Sequence, residues 1–445
     1  MSDEILKNIS ERSLLKGFAR RQARSELWKT IKPEDFEEHE ENGWALRRKN
    51  KRSLSIKKSK TRAVLLESRV WTLLYRMGFP LISGEGGATL HLSRRRGGAT
   101  QQIDCVAVDE QIAIAVECKS YQARRRDPAF VEKLTKLSSI RGRFAAGVSH
   151  LSPADEEKRS IATIMFVWDL ALRNSDLSRA QEEQVRIFDE RDLEYYEALV
   201  KHLGLAARFQ FLAEVFKGRE IRGLNIRVPA LRTRVGGVAS YTFAIKPSYL
   251  LKIAYVAHRA KGKPFDVDAY QRMISKSRLK KIAAFISEGG VFPTNIVINI
   301  EDAKHVRFDQ AAQLGDGSGG TVGWLSLAPA YGSAWIIDGQ HRLFAYSGHE
   351  RAETSFLNVL AFEGLSATRQ TELFVEINSE QRRVKRSLLV ELDATLKWND
   401  EDEDKRIHAI VSKAGMALDS VQGSPLEGRV LLADVRRTKK RCVSL

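Results

Sequence analysis

Cysteine is scarce in this 445-residue chain: Cys105, Cys118 and Cys442 are the three it has. An odd count without paired-ligand spacing argues against a disulfide framework and a structural zinc site, and suits a reducing cytosol. There is no run of 18 apolar residues, so no membrane span is expected. The opening MSDEILKNISERSLLKG lacks an apolar core, so no secretory signal is expected either. Acid is in deficit, with 56 Asp and Glu against 73 Lys and Arg, a net charge of +17. That imbalance says nothing of fold, but it predicts attraction to polyanions, of which nucleic acid is the commonest.

What is present is enough apolar residue, 43%, for ordinary packed cores, in a chain long enough for two domains. The pattern divides into a helical or irregular basic arm (1–56), a first α/β domain (57–204) and a second domain that begins again with strands (205–445). The fold class expected is α/β or α+β. Residues 47–62, RRKNKRSLSIKKSKTR, hold nine Lys or Arg and no acid. They read either as a solvated linker or as a strap against phosphates. A helix is expected over 62–77, with Leu66, Val70, Leu73, Leu74 and Met77 on one face and Gly78 as its stop. Strands are expected at 101–108 and 112–119, a helix at 129–141, a strand at FAAGVSH, a helix at 153–173 opened by Pro153, and then strand, Asp cap and helix through VRIFDERDLEYYEALVKHLG. In the second half Gly236-Gly237 marks a hairpin turn. Helices are expected at 247–260 and 268–288, strands at 295–300 and 333–337 with LGDGSGGTVG between them as a loose loop, a helix from about 340, a strand at 356–362, helices from 366 onward and a charged turn near 398–406.

Chemistry first gathers in QQIDCVAVDEQIAIAVECKSYQ. If Glu110 and Gln111 form the loop of a hairpin, residues whose numbers sum to 221 face each other, so Asp104 lies opposite Glu117. Alternation along the strand puts Glu117 and Lys119 on one face and Cys118 on the other. Two adjacent carboxylates repel, and a divalent cation relieves them. Such a cation lowers the pKa of a bound water, and a nearby ammonium orients or deprotonates that water and neutralises developing charge. That is the chemistry of phosphodiester hydrolysis. Asp104 followed by Glu117-Cys118-Lys119 on the next strand resembles the PD-(D/E)xK nuclease superfamily, over roughly residues 57–204. The resemblance implies a restriction-endonuclease fold and a Mg²⁺ or Mn²⁺ site held by Asp104, Glu117 and a glutamate of the preceding helix, where Glu67 fits, with Lys119 completing the catalytic set. Gln122 is a further candidate, and Arg94, Arg95, Arg96, Arg124, Arg125 and Arg126 are either phosphate contacts or a solvated rim. The same fold kept for DNA binding alone is the alternative.

The second concentration is SAWIIDGQHRLFAYSGHE. An apolar strand, a sharp Asp338-Gly339 turn and a helix start present free N–H groups. Gly339 allows close approach of a ligand, His341 and Arg342 add donors for phosphate oxygens, and Asp338 either caps the helix or holds a metal ion. The pentapeptide Asp338-Gly339-Gln340-His341-Arg342, with FAIKPSYLLKIAYVAHR, YQRMISKSRLKKIAAFISEGGVFPTNIVINI and LFVEINSEQRRVKRSLLVEL in order, resembles the DGQHR family that includes DndB-like proteins, over about 224–395. The resemblance implies a ParB/sulfiredoxin-like fold that binds a nucleoside triphosphate, ATP, and hydrolyses it as a further expectation. It places Asp338, Gln340, His341 and Arg342 at the phosphates. Arg272 and Arg278, before and at the start of a helix, are candidates for either phosphate or structural partners, and Asn378 and Gln381 in EINSEQRR are candidates to line the same pocket.

Together these features imply a cytoplasmic, metal-dependent DNA endonuclease coupled to a nucleotide-binding domain, in bacterial DNA modification or anti-phage defence. Its partners would be DNA, a nucleoside triphosphate, other proteins of such an operon and possible further copies of itself. The alternatives are a non-cutting DNA-binding regulator and an ATP-driven component of a DNA base or backbone modification complex.

Overall fold

A computed structural model describes residues 5–93, 98–151, 159–256, 276–314, 319–381, 402–421 and 423–431, with isolated positions 394, 397, 439, 442 and 443. The chain divides into two compact units, Met1–Val200 and Lys201–Leu445. Both mix helix and sheet, as the sequence pattern predicts. Among the described residues no helix is long and apolar enough to cross a membrane.

The first unit opens with β1 (Leu6–Lys7), β2 (Ile9–Glu11), α1 (Lys16–Gln22), β3 (Glu26–Ile31), α2 (Phe36–Glu41), β4 (Ala45–Lys49) and β5 (Leu54–Ser59). The helical or irregular arm expected here does hold two short helices, but its strands are a correction. β1 and β2 each join a sheet of the unit, and the basic stretch forms strands in an antiparallel sheet of order β3-β5-β4. Ile56, wholly buried, and Leu54 anchor β5, which fixes strand pairing in a segment whose charge alone suggests a solvated coil.

α3 (Arg62–Met77) follows, capped by the Thr61 hydroxyl, which accepts from the Val64 amide at 3.4 Å, and closed by Gly78 at φ 84°. Its predicted face, Leu66, Val70, Leu73, Leu74 and Met77, is buried. Next come β6 (Leu81–Ser83), β7 (Ala88–His91), β8 (Thr100–Ile103), β9 (Cys105–Val108), β10 (Ile112–Arg125), α4 (Phe130–Ser139), α5 (Arg141–Ser149), β11 (Ser160–Leu170), α6 (Asn174–Glu182), β12 (Val185–Phe188) and α7 (Glu190–Leu203). The main sheet has order β12-β11-β10-β9-β6-β2, and β1-β7-β8 form a smaller one. β10 and β11 run parallel, as do β11 and β12. Ala113, Ala115, Val106 and Val108 share a core with Phe130 and Leu134 of α4 and with Phe144 and Val148 of α5.

Two expectations fail in this unit. FAAGVSH falls in α5, where Gly147 sits so close to β1 that a Cβ would stand 2.9 Å from Leu6 Cβ. The expected helix at 153–173 is β11 from Ser160 onward, and the residues around Pro153 lie outside the described set. A continuous apolar run such as IATIMFVW suits a strand flanked on both sides as well as it suits a helix, and periodicity alone does not separate the two.

The second unit carries α8 (Ala207–Val215), β13 (Ile226–Val235), β14 (Val238–Ile245), α9 (Pro247–Ile253), β15 (Ala254–Tyr255), β16 (Ile296–Ile300), β17 (Val306–Gln313), β18 (Thr321–Leu327), β19 (Ala334–Asp338) and β20 (Leu357–Glu363). Its strands form one sheet of order β15-β19-β16-β20-β14-β13-β18-β17. Gly236 and Gly237, at φ 57° and 80°, make the expected tight hairpin. The expected loose loop LGDGSGGTVG lies where β17 gives way to β18, with residues 315–318 outside the described set, and around it runs an unexpected hairpin, β17–β18. It escapes a hydrophobicity pattern because β17 buries little, and it closes tightly because Gly323 has no side chain: a Cβ would meet Asp309 O at 2.3 Å. Helices occupy Lys276–Ser287, Gln340–Phe344, Ala367–Gln381 and Glu403–Ser420. The last begins inside the charged stretch expected as a turn, because the Asp402 carboxylate caps it by accepting from the Asp404 and Lys405 amides.

Candidate functional site

β9 and β10 pair antiparallel, with Val108 opposite Ala113, Ala107 opposite Ile114, Val106 opposite Ala115 and Cys105 opposite Val116. Every pair sums to 221, the register expected from the sequence, and one more step sets Asp104 against Glu117. The ladder ends there because the chain changes sheets at Asp104, with β8 in the small sheet and β9 in the large one. The Cys118 amide, beyond the last ladder pair, donates to Asp104 Oδ2 at 2.7 Å. A carboxylate thus replaces a strand neighbour at the corner. Gly87, at φ 76°, makes room for it: a Cβ there would lie 2.3 Å from Ile103 O and 3.0 Å from Asp104 O.

Along β10 the row Ala113, Ala115, Glu117, Lys119 passes from fully buried to partly exposed. The apolar row becomes charged where the core ends. Lys119 Nζ donates to Glu117 Oε1, and the two side chains are 29% and 19% exposed. Burial raises the Asp104 carboxyl pKa to about 7, with Glu117 and Glu67 adding to the rise and the Cys118 amide and Lys119 opposing it. Glu67 lies on the outer side of α3 with much of its surface in water. Partial desolvation still raises its pKa, Lys119 counters, and Glu117 adds. Burial works against the Lys119 charge, but the bond to Glu117 and the attraction of Glu117 and Asp104 together outweigh it, so Lys119 holds its proton more tightly than usual. Asp104, Glu67, Glu117 and Lys119 therefore feel one another's charge at one end of the sheet.

Two arginines flank Glu67 on α3 and fix the helix to its surroundings. Arg69 grips Glu197 of α7 through paired bonds, Nε to Oε1 at 3.0 Å and Nη2 to Oε2 at 2.8 Å. Arg62 Nη1 donates to the carbonyls of Tyr121 and Gln122 at 2.8 and 2.9 Å and to the Asp169 carboxylate. Both guanidinium carbons lie 5.2 Å from the centre of the Trp168 ring. Asp169 adopts φ 58°, a left-handed conformation that persists in a non-glycine residue only when its surroundings impose it. The sequence reading missed these positioning residues. The available signal was the seven-residue spacing of Arg62 and Arg69, which puts the two on one face of α3.

The other candidates of this unit scatter. Gln122 is exposed and contributes its carbonyl to Arg62. Arg124, Arg125 and Arg126 are exposed, with Arg125 over the Tyr121 ring at 4.7 Å. Arg94, Arg95 and Arg96 lie outside the described residues. Among the described residues no group of three or more His, Cys, Asp or Glu is gathered closely enough to hold a metal ion as it stands. The donor chemistry nevertheless suits a hard divalent cation: carboxylate oxygens that repel one another at a half-buried corner.

In the second unit Gly339 occupies the left-handed region at φ 93° and is the cap of the Gln340–Phe344 helix. A Cβ on it would lie 2.5 Å from Ile296 Cδ1, so only glycine fits. Asp338 makes no cap bond, which corrects that alternative. It accepts from Arg342 Nη2 at 3.1 Å. Arg342 is a clamp: Nη1 donates to the Thr294 carbonyl and, at 2.5 Å, to the Thr294 hydroxyl, and Nη2 to Asn295 O at 3.0 Å. Its burial lowers its pKa, Asp338 counters that, and Arg278 adds to it, so Arg278 lies within electrostatic reach. Arg278 itself is exposed. Gln340 and His341 are buried. With only five residues, the helix supplies a weaker dipole than the sequence suggested. Buried polar atoms without partners lie around β19: Trp335 Nε1 on the strand, Gln340 Oε1 after it, Ser248 Oγ on α9 and Gln370 Oε1 on the Ala367–Gln381 helix. Such orphans are where a polar ligand or ordered water binds. Arg272 and the side chains of Asn378 and Gln381 lie outside the described set.

The comparisons bear on this second unit. Residues 228–414 match the DndB family model, described as DNA-sulfur modification-associated. The DndB-like segment thus runs from within β13 into the Glu403–Ser420 helix and includes the whole Asp338–Arg342 turn. No curated protein matches the chain. A crystal structure of protein VC1899 from Vibrio cholerae is similar over 44% of this chain at 14% identity, with a TM-score of 0.23, a likeness too slight to bear on fold or function. The chain spans about half the length of that protein, 50%.

Proposed function

We propose that the protein is a DNA endonuclease of a DNA-modification or defence system, with its phosphodiester chemistry at Asp104, Glu117, Lys119 and Glu67. The observation that carries this reading is the Asp104–Glu117 juxtaposition: two repelling carboxylates at a half-buried corner, with an ammonium bonded to one of them. Mg²⁺ or Mn²⁺ held by Asp104 and Glu117, with Glu67 at the rim, would supply an activated water and a Lewis acid for the phosphate. Lys119, kept protonated by Glu117, orients the attacking water and offsets charge on the phosphate oxygens rather than taking a proton. Asp104 is held in place by the Cys118 amide, and Glu67 by the arginine clamps on α3. The DndB family's link to DNA-sulfur modification supports the biological setting. Metal-dependent nicking or cutting of duplex DNA that Glu117→Ala abolishes tests the reading.

In the second unit the DndB-like turn is proposed to bind a nucleoside triphosphate, ATP first. The unpartnered atoms of Trp335, Gln340 and Ser248 would meet the polar groups of the ligand, and Arg278 with the clamped Arg342 would supply the positive charge. Loss of ATP binding in Arg278→Ala with Gln340→Leu, by calorimetric titration, tests it.

A second reading, DNA binding without cleavage, is favoured by one observation: the three carboxylates are not drawn into a closed ligand set. It predicts salt-dependent DNA binding with no cutting in any divalent metal.

A further inference from the structure

We infer that the β3-β5-β4 sheet of the first unit is a platform for the DNA backbone, built around a guanidinium stack on Trp28. This inference rests on the DNA partner proposed above but not on cleavage.

Trp28 lies on β3 and is 37% exposed. The guanidinium carbons of Arg24 and Arg47 lie 3.8 and 3.7 Å from the centre of its ring. Two groups that close to one centre would overlap on a single face, so they flank the indole. Register explains how Arg47 gets there. Trp28 and Ala45 both stand opposite Lys57. The three therefore share a face, and Arg47, two residues beyond Ala45, returns to it. The bulge between Leu46 and Arg48 leaves Arg47 as the extra residue, free of a partner on β5 and able to lean over the indole. Glu26, the acid beside Trp28, is held by Lys57 at 2.8 Å and accepts from the indole N–H at 3.3 Å, so its charge is matched.

The stack has no evident use in packing, since β4 is exposed along its whole length. Its effect is to hold two guanidinium planes fixed while their N–H edges remain in water. A free arginine must give up rotamer freedom to fork a phosphate, and one already stacked on an aromatic ring has given it up. The neighbouring chain, nine Lys or Arg and no acid over 47–62, makes the β4 and β5 strands complementary to a polyanion, while the six acids of 34–41 are confined to the β3–β4 connection. With both faces of Trp28 covered, base stacking is closed off. The platform therefore meets phosphates, and it is indifferent to sequence. β5 ends at Ser59 and α3, which carries Glu67, begins at Arg62, so the platform leads directly into the nuclease-site helix.

The test is binding of the full chain in EDTA, where nothing is cut, to a fluorescent DNA duplex of arbitrary sequence over a salt series. The double variant Arg24→Ala/Arg47→Ala should bind at least about tenfold more weakly near 0.1 M salt, and its slope of log K against log salt should flatten by about 2, at roughly 0.9 for each phosphate no longer neutralised. Arg24→Lys/Arg47→Lys, which keeps the charge but not the planes, should keep the slope and lose affinity. Trp28→Ala should behave like the lysine pair. Wild-type affinity and slope in the double alanine variant overturn the platform while leaving the DNA reading intact. No binding by the wild type overturns both. Tighter binding of an RNA duplex through the same arginines overturns DNA as the ligand.

Discussion

Asp104 Oδ2 accepts the Cys118 amide at 2.7 Å, a bond between a side chain at the sheet corner and the strand that carries Glu117 and Lys119. One carboxylate thereby closes the ladder and stands beside the charged end of β10. Structure and chemistry are separable there. Asp104→Ala leaves the Cys118 amide short of an acceptor and should cost ~1–3 kcal/mol of stability. Asp104→Asn keeps an oxygen for that amide and should stay within about 1 kcal/mol of wild type while losing metal-dependent cleavage. Urea denaturation beside a cleavage assay distinguishes them, and equal stability of the two variants contradicts the corner's role.

The pH dependence of the metal-free protein follows from the same residue. The folded pKa of about 7 lies above the ordinary aspartate value of 3.8. A group shifted in this direction favours the folded state while it is protonated in both states, and the benefit is lost as pH rises from about 4 through about 7. In EDTA the first unit should therefore lose stability across that window, Asp104→Asn should flatten this part of the profile, and millimolar Mn²⁺ should restore stability above it. Chemical denaturation at a series of pH values spanning the window checks the sign. Stability that increases over the window through an Asp104-dependent step contradicts it.

The Arg69–Glu197 pair predicts a separable effect on position. Arg69→Lys loses the paired geometry, so it should cost ~1–3 kcal/mol. Because Glu67 sits two residues away on α3, the metal concentration needed for half-maximal cleavage should rise more than in an equally destabilised variant elsewhere. A metal titration of Arg69→Lys beside a core variant of matched stability, such as Val185→Ala, shows whether α3 positions Glu67.

Gly339 gives the corresponding prediction for the second unit. Gly339→Ala places a methyl 2.5 Å from Ile296 Cδ1 at φ 93°, and should cost ~1–3 kcal/mol or more. Gly236→Asn, at φ 57° with nothing within 4 Å, should be nearly neutral. Thermal unfolding of the two variants tests whether the turn is as constrained as its geometry indicates.

Much of this was legible in the sequence where one physical rule dominates. α3 was readable from its apolar spacing and Gly78, and the facing of Asp104 and Glu117 from a two-residue polar loop between apolar runs, because strand alternation leaves few choices. The break at Asp104 was not, since the change of sheet depends on β1 and β7, which pair across a long span. β11 read as a helix because a strand buried on both sides has no alternation to show. The Asp338 turn was recognisable as a motif, but the commitment of Arg342 to Thr294 and Asn295, 48 and 47 residues earlier, depends on contacts that no local pattern encodes.

The most direct test of the central claim is cleavage of supercoiled plasmid, plain and phosphorothioate-modified, by the wild type and Glu117→Ala with Mg²⁺ or Mn²⁺, with and without ATP. Metal-dependent cutting by the wild type should fall by on the order of 10²–10³-fold or more in Glu117→Ala while DNA binding in EDTA persists. Cutting that continues unchanged in Glu117→Ala, or wild-type protein that binds every DNA substrate and cuts none in either metal, would contradict it.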